Sequence, residues 1–353
     1  MLNFGIIGCG NISSKHIHIA SNMLDNQINL RGLCDLDRSK FIKQKSNFNL
    51  EEVYFFEEYK DMINELKLDI VSILTPSGSH YKIANEIISE TNCTVIIEKP
   101  ICLRYEDAIA FNELTKKNKN KVYVLMQNRF NKPIVALKNL IASEALGDIH
   151  LCTARVRWTR DKDYYSSASW RGTWSNDGGA LINQGIHFLD LMTWLNGDIK
   201  NVSGMATNAI ANIEAEDTLT AIFNFENGSL GTFEVSTATR PKDIEGSLSI
   251  LGSDGSVEIG GFACNKLIYS NFRNSKILFS DQEHTNPADN KFYPHYIFYK
   301  NVINDLVVNK KQTFSFPQEG TKCIEVAHAI YDSVVTKEHK SIDGSYINSK
   351  LGQ

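Results

Sequence analysis

The stretch Leu2-Asn3-Phe4-Gly5-Ile6-Ile7-Gly8-Cys9-Gly10-Asn11-Ile12-Ser13 decides the fold. Its first six residues form a short apolar run that reads as a buried strand, and residues 12–23 have the spacing of a helix. Between them, Gly8 permits a tight turn and Gly10 lets another group approach the backbone closely. Ser13, at the third position of the pattern, is small but not glycine. A second strand-like run, Ile28–Cys34, leads into Asp35. That is about 20 residues past the motif, where an acid meets ribose hydroxyls in dinucleotide-binding folds. Asp37 adds a second acid. Two acids repel a 2′-phosphate, which favours NAD over NADP. Arg38 works the other way, because it can stack on adenine or meet a 2′-phosphate. Strand, glycines, helix and acid in register predict a dinucleotide site drawn from Gly8, Gly10, Asn11, Ile12, Asp35, Asp37 and Arg38.

Further along, residues 38–46, 81–89 and 105–116 read as helices. Residues 53–55, 70–74, 94–97 and 122–126 read as strands. The alternation predicts a parallel sheet covered on both faces, with right-handed crossovers. After Arg129 the character changes. Residues 133–143 read as a helix, 149–158 as an alternating strand, and 179–195 as a helix ending at Asn196-Gly197. Residues 202–279 are strand-rich, with turn signals at Glu226-Asn227-Gly228, Gly252-Ser253-Asp254-Gly255 and Gly260-Gly261. Such runs suit a mostly antiparallel sheet with one solvated face. Two helices, 296–308 and 319–337, follow. The expected class is α/β: an N-terminal Rossmann parallel sheet over residues 1–127, and a C-terminal α/β domain over residues 128–353 with a large, mostly antiparallel sheet. The last helix is able to pack back on the first domain.

The chain has 353 residues, a length that fits two domains. Its 37 Lys+Arg against 41 Asp+Glu give a net charge of −4, which speaks against a nucleic-acid partner. No stretch approaches the roughly 20 apolar residues of a membrane span, and the N-terminus lacks the marks of a signal peptide. Seven cysteines include no CxxC pair and no zinc-type spacing. These features lead us to expect a cytoplasmic protein without a membrane partner or a metal.

Two further motifs sit at strand ends. Thr75-Pro76-Ser77-Gly78-Ser79-His80 follows one strand and Glu98-Lys99-Pro100 the next. In open α/β sheets ligands bind beyond the carboxyl ends of the strands. A lysine there can hydrogen-bond a substrate hydroxyl. With Gly8-Cys9-Gly10-Asn11-Ile12 and the later Asn183-Gln184-Gly185-Ile186-His187-Phe188-Leu189-Asp190, these motifs resemble the glucose–fructose oxidoreductase/inositol dehydrogenase/rhizopine catabolism (Gfo/Idh/MocA) family. The resemblance covers nearly the whole chain. It implies a Rossmann domain followed by a domain on an open-faced sheet, with NAD as cofactor and a homodimer or homotetramer as assembly. It maps the family's catalytic lysine and histidine onto Lys99 and His187. It adds Thr75, Pro76, Ser77, His80, Glu98, Lys99, Gln127, Trp170 and Arg171 to the cofactor side. Many members carry Asp where this chain has Asn183, which can orient the histidine but not stabilise its charge.

The segments Tyr164-Tyr165, Trp170-Arg171-Gly172-Thr173-Trp174, Asp177–His187 and Gln127-Asn128-Arg129-Phe130-Asn131 are similar to a subgroup of that family. Its members oxidise UDP-N-acetylglucosaminuronate at C3, for diamino-sugar uronates of bacterial surface polysaccharides (O-antigen, lipopolysaccharide). The resemblance implies a nucleotide-sugar substrate and, in some members, NADH recycling by 2-oxoglutarate. It places Lys99, Arg129, Arg157, Tyr165, Asn183 and His187 around the sugar. The chemistry is consistent with this: hydride transfer from an alcohol needs a base and a positioned cation. Asn183 and His187 are four apart and share a helical face, and Asp190 either orients His187 or caps a neighbouring turn. Trp170, Tyr164 and Tyr165 pack on the nicotinamide, line the sugar pocket or fill the core. Arg155, Arg157, Arg160, Lys162 and Arg171 form a local basic cluster suited to an anionic ligand. The alternatives are a family dehydrogenase for another nucleotide sugar or a free polyol such as inositol, or a non-catalytic dinucleotide sensor.

Overall fold

The computed structural model describes residues 1–118, 121–274, 276, 279, 285–287 and 291–353. The end of the expected strand-rich stretch, at 275, 277 and 278, lies outside the described residues. The chain divides into two units. Unit 1 comprises Met1–Cys102, Glu106–Leu125 and Pro294–Thr321, and unit 2 comprises Leu103–Tyr105, Met126–Tyr293 and Lys322–Gln353.

Unit 1 holds six strands: β1 (Leu2–Ile7), β2 (Ile28–Cys34), β3 (Tyr54–Phe56), β4 (Ile70–Ile73), β5 (Thr94–Glu98) and β6 (Val122–Leu125). They form a parallel sheet in the order β3-β2-β1-β4-β5-β6. The central strands are almost wholly apolar and buried, as strands covered on both faces must be. One rung of the register joins Cys34, Ile7, Ile73, Ile97 and Val124. The residues one step beyond it are Asp35, Gly8, Leu74 and Glu98, so the pairing brings both loop motifs and both acids to one edge. The helix expected at 12–23 is a short α-helix, α1 (Ser13–His18), that widens into a π-turn at Ile19–Met23. The helix Tyr59–Glu65 lacks a strong apolar period and was not foreseen.

The segment Pro294–Thr321 belongs to unit 1, although it follows the expected division at residue 127 in the chain. Tyr299, on the helix Tyr293–Asn304, is buried, with its hydroxyl 2.6 Å from His16 Nδ1 and 2.7 Å from Ser72 Oγ. The same segment caps the edge strand β6. Gln312 Nε2 donates to the Val122 carbonyl, Ser315 Oγ donates to the Val124 carbonyl, and the Val124 N–H donates to the Ser315 carbonyl. An edge strand left bare would be a template for unwanted pairing.

Unit 2 is built on β7 (Ile149–Arg157), β8 (Ile199–Thr207), β9 (Thr218–Phe225), β10 (Leu230–Ser236), β11 (Glu245–Gly252), β12 (Gly255–Gly260), β13 (Lys266–Phe272) and β14 (Lys340–Ser341). The order is β13-β12-β11-β7-β10-β9-β8-β14, antiparallel except where β7 runs parallel to β10. Residues alternate between the two faces. Cys152, Ala154 and Val156 of β7 and Phe233 and Val235 of β10 are buried. Thr153, Arg155 and Arg157 take the opposite face. The apolar helix Ile186–Asn196 packs on β7 and buries Phe188, Leu189 and Met192. All seven cysteines are buried, and none is in a disulfide. Among the described residues, no helix is long and apolar enough to cross a membrane.

Candidate active site

In unit 1 the edge beyond β1, β2, β4 and β5 is a dense hydrogen-bonded rim. Gly8 has φ +100°, a left-handed turn, and a Cβ there would lie 2.7 Å from the Leu74 carbonyl oxygen. Gly10 has nothing within 4 Å of where its Cβ would be. Asp35 Oδ2 accepts the Cys9 N–H (2.8 Å), and Oδ1 accepts the Asp37 N–H (2.9 Å) and Lys40 Nζ (3.2 Å). The second acid, Asp37, is exposed and accepts from the Ser39 N–H and hydroxyl, which hold its carboxyl below the usual range. Arg38 lies over the Phe55 ring at 5.4 Å. In the Thr75–Ser79 loop, Ser79 Oγ donates to Thr75 Oγ1 and to the Pro76 carbonyl, both at 2.7 Å. His80 is buried, with Nδ1 2.7 Å from the Pro100 carbonyl oxygen and Nε2 2.8 Å from that of Thr75. Burial lowers its pKa although both carbonyls work against the shift. Its ring therefore ties the Thr75 loop to the Lys99-Pro100 turn, and neither nitrogen is left for a cofactor.

Glu98 is buried beneath Lys99 and accepts the Lys99 N–H on Oε2 (3.0 Å) and His16 Nε2 on Oε1 (3.2 Å). Burial alone would raise its pKa. The hydrogen bond and charge of His16, with His295 and Lys99, outweigh that and hold the carboxyl well below its usual range. Ligand atoms of His16, Glu98 and His295 lie within 4.8 Å of one another. The sequence shows no such cluster, because its members are scattered over nearly three hundred positions and only the fold assembles them. His16 and Glu98 are held in it as a hydrogen-bonded pair.

In unit 2 the second constellation grows from the segment before the helix Ile186–Asn196. Leu181–Gly185 is a π-turn, a widened helical turn that often marks a functional site. Glu216 sits under it. Glu216 Oε1 accepts the Leu181 N–H (2.9 Å) and the Tyr331 hydroxyl (3.0 Å), while its backbone carbonyl accepts the Ala180 N–H (2.9 Å). A Cβ on Gly179 would overlap the Glu216 carboxylate, so only glycine fits there. One turn on, His187 is 6% exposed. Its Nε2 lies 3.0 Å from Gln127 Nε2. Asn183 Nδ2 donates to Asp177 Oδ1, and Asn183 Oδ1 accepts from Gln184 Nε2 (2.6 Å) and the Tyr164 hydroxyl (3.3 Å). Two guanidiniums lie over the one Tyr164 ring, Arg171 at 4.1 Å and Arg160 at 5.2 Å from its centroid. Arg171 also covers Trp170 at 4.7 Å, and Arg160 covers Trp158 at 5.4 Å. The Tyr165 hydroxyl is 2.8 Å from Thr237 Oγ1.

Residues 2–126 match the model of an oxidoreductase family with an NAD-binding Rossmann fold, and residues 134–258 match the GFO/IDH/MocA C-terminal domain. The WlbA dehydrogenase of Chromobacterium violaceum, solved with NADH and UDP-GlcNAcA, is 33% identical. It superposes with a TM-score of 0.88 over 98% of this chain and 97% of its own. The chain belongs to the Gfo/Idh/MocA oxidoreductase family. Another family structure, WlbA of Bordetella pertussis with the same two ligands, is 31% identical with a TM-score of 0.86 over 96% of this chain and 97% of its own. D-apiose dehydrogenase of Paraburkholderia graminis is 25% identical over 67% of this chain, and the match spans 60% of that relative's length.

The rim of unit 1 fits the NAD of this family. The space where a Gly10 side chain would stand is open, and two carboxylates stand at the end of β2. Other residues read as ligand contacts are committed to the fold. Arg129 makes a buried two-pronged pair with Asp190, with Nε–Oδ2 at 2.8 Å and Nη2–Oδ1 at 2.6 Å, and lies 5.1 Å over Trp194. Asp190, read as orienting His187 or capping a turn, neutralises Arg129 and also accepts from Cys323 Sγ at 3.6 Å. Arg157 is held by Glu234 through two bonds (2.6 and 2.8 Å) and by Glu245 (3.1 Å), on the sheet face opposite the one that carries the His187 helix. Both arginines expected at the anion are thus paired with carboxylates of the fold. Trp170 and Arg171, read as cofactor contacts, belong to unit 2, where the Arg171 guanidinium lies over both the Tyr164 and the Trp170 rings. Asp177, Gln184 and Glu216 were missed, because nothing in their local spacing announces partners up to 115 residues away.

Proposed function

We propose that this family member is an NAD-dependent dehydrogenase that oxidises the C3 hydroxyl of UDP-N-acetylglucosaminuronate to the 3-keto sugar. One observation carries the choice of an anionic sugar. Arg160 and Arg171 converge on Tyr164 beside Asn183, and among the described residues neither is held by a two-pronged carboxylate; the ion pair found for Arg160, to Asp243, is long at 3.8 Å. Two cations placed on aromatic faces call for an anion such as a uronate carboxylate or a pyrophosphate. A free polyol such as inositol has none. The likeness over the whole chain to two dehydrogenases solved with NADH and UDP-GlcNAcA supports the same reading.

Bound NAD supplies the hydride acceptor. His187, with its ring neutral, takes the hydroxyl proton on Nε2, the atom that lies 3.0 Å from the Gln127 amide. Lys99 donates a hydrogen bond to the same oxygen and stabilises the charge that grows on it. Glu98 and His16 fix the backbone that carries Lys99. Arg160 and Arg171 hold the anionic end of the substrate.

The test is NADH formation followed by absorbance, with UDP-N-acetylglucosaminuronate and with myo-inositol, each with and without 2-oxoglutarate. We expect turnover with the uronate, and a fall of at least about a hundredfold in kcat for His187→Ala and for Lys99→Met. Turnover of inositol alone would reject the nucleotide-sugar reading. Unchanged rates in both variants would reject the assigned roles.

A further inference from the structure

The polar chain under Tyr164 has a charged group at each end, and the two ends fix the direction of every hydrogen bond between them. At one end Asp177 is 1% exposed; its Oδ2 accepts the Gly172 N–H (2.7 Å) and its Oδ1 accepts from Asn183 Nδ2. Both oxygens face N–H donors, the arrangement of a carboxylate. The Asn183 amide must therefore turn its nitrogen toward Asp177 and its oxygen away. That oxygen accepts from Gln184 Nε2 (2.6 Å), which turns Gln184 Oε1 toward Arg160 Nη2 (3.3 Å). The guanidinium at this end can only donate. Amide orientations are normally assigned from their surroundings, and here an acceptor-only and a donor-only terminus leave one solution.

We propose that Asp177 is a positioning residue that acts through Asn183 and Gln184 to set the substrate-facing arrangement of the Asn183 amide and the Arg160 guanidinium. The inference rests on the proposed role of Asn183 and Arg160 as substrate contacts. D177N puts a donor against a donor. Relieving that clash rotates Asn183, then Gln184, and finally sets the Gln184 nitrogen against Arg160. N183D sets two carboxylates at hydrogen-bond distance. The exchange D177N/N183D keeps each of the contacts just named. The amide at 177 takes the Gly172 N–H on its oxygen and donates to the carboxylate at 183, which accepts from Gln184 and Tyr164.

The experiment measures steady-state kinetics of the full chain with NAD and whichever substrate the wild type oxidises, beside chemical denaturation of all four proteins. We expect D177N to raise KM for the sugar about tenfold while kcat changes less than about threefold, with KM for NAD unmoved. We expect the exchange variant to recover the stability that each single variant loses and to have a lower KM than the worse single variant. If a single variant fails to fold, recovery of a folded, active protein by the exchange is itself the expected result. A D177N protein with wild-type KM, or an exchange variant no better than the worse single one, would overturn the proposal. A wild type that oxidises inositol and not the uronate defeats the substrate assignment, yet leaves this comparison in force.

Discussion

At the residue scale, the two glycines of the first turn separate folding from binding. Gly8→Ala meets the Leu74 carbonyl in a left-handed conformation, and we expect it to cost about 1–3 kcal/mol of stability. Gly10→Ala adds a methyl where, its chain neighbours aside, no atom of the described residues lies within 4 Å. Its melting temperature should stay within about 2 °C of wild type. Its affinity for NAD, read by titration calorimetry, should fall at least about tenfold. Equal affinity in Gly10→Ala and wild type would move the dinucleotide elsewhere. These glycines and Asp35 were legible because strand, turn and acid lie close together in sequence. The arginines were legible only as cations. Whether an arginine is spent on Asp190, on Glu234 and Glu245, or stacked on Tyr164 is decided by partners brought from other elements.

At the element scale, the helical period over residues 179–195 predicts a helix, and one is present. The period cannot show that Leu181–Gly185 is a π-turn. That turn is held by Glu216, a side chain from another part of the fold, whose place in the sequence carries no signal for it. Burial raises the Glu216 pKa to about 7, although the Leu181 N–H and the Tyr331 hydroxyl favour its charged form. The folded protein then keeps the proton over a range where the unfolded chain has lost it. From the ordinary value of 4.5 up to about 7, this residue makes stability fall as pH rises, by about 3 kcal/mol in all. Below 4.5 the contribution is fully present, and above 7 it is gone. Glu216→Gln mimics the protonated acid at every pH. We expect urea denaturation at pH 5 and pH 8 to show the variant gaining on wild type at the higher pH. A constant difference between the two proteins would show that Glu216 does not titrate in this range.

At the scale of the whole molecule, unit 1 is completed by residues far along the chain. Residues 1–125 expressed alone would lack Tyr299 against His16 and Ser72, and would lack Gln312 and Ser315 along β6. We expect that fragment to aggregate by light scattering, and the same fragment joined by a linker to residues 294–321 to stay monodisperse. A cooperatively folded, monodisperse 1–125 would contradict this. The parallel and antiparallel sheets were legible from periodicity. The return of Pro294–Thr321 was not, because an amphipathic helix states that it has an inner face and not which core receives it. For the gene, this woven path means that the dinucleotide-binding half is not an exchangeable cassette. A single crossover near codon 126 would hand the recombinant a foreign Tyr299 and a foreign cover for β6, so descent should have kept both halves together and let them drift as one.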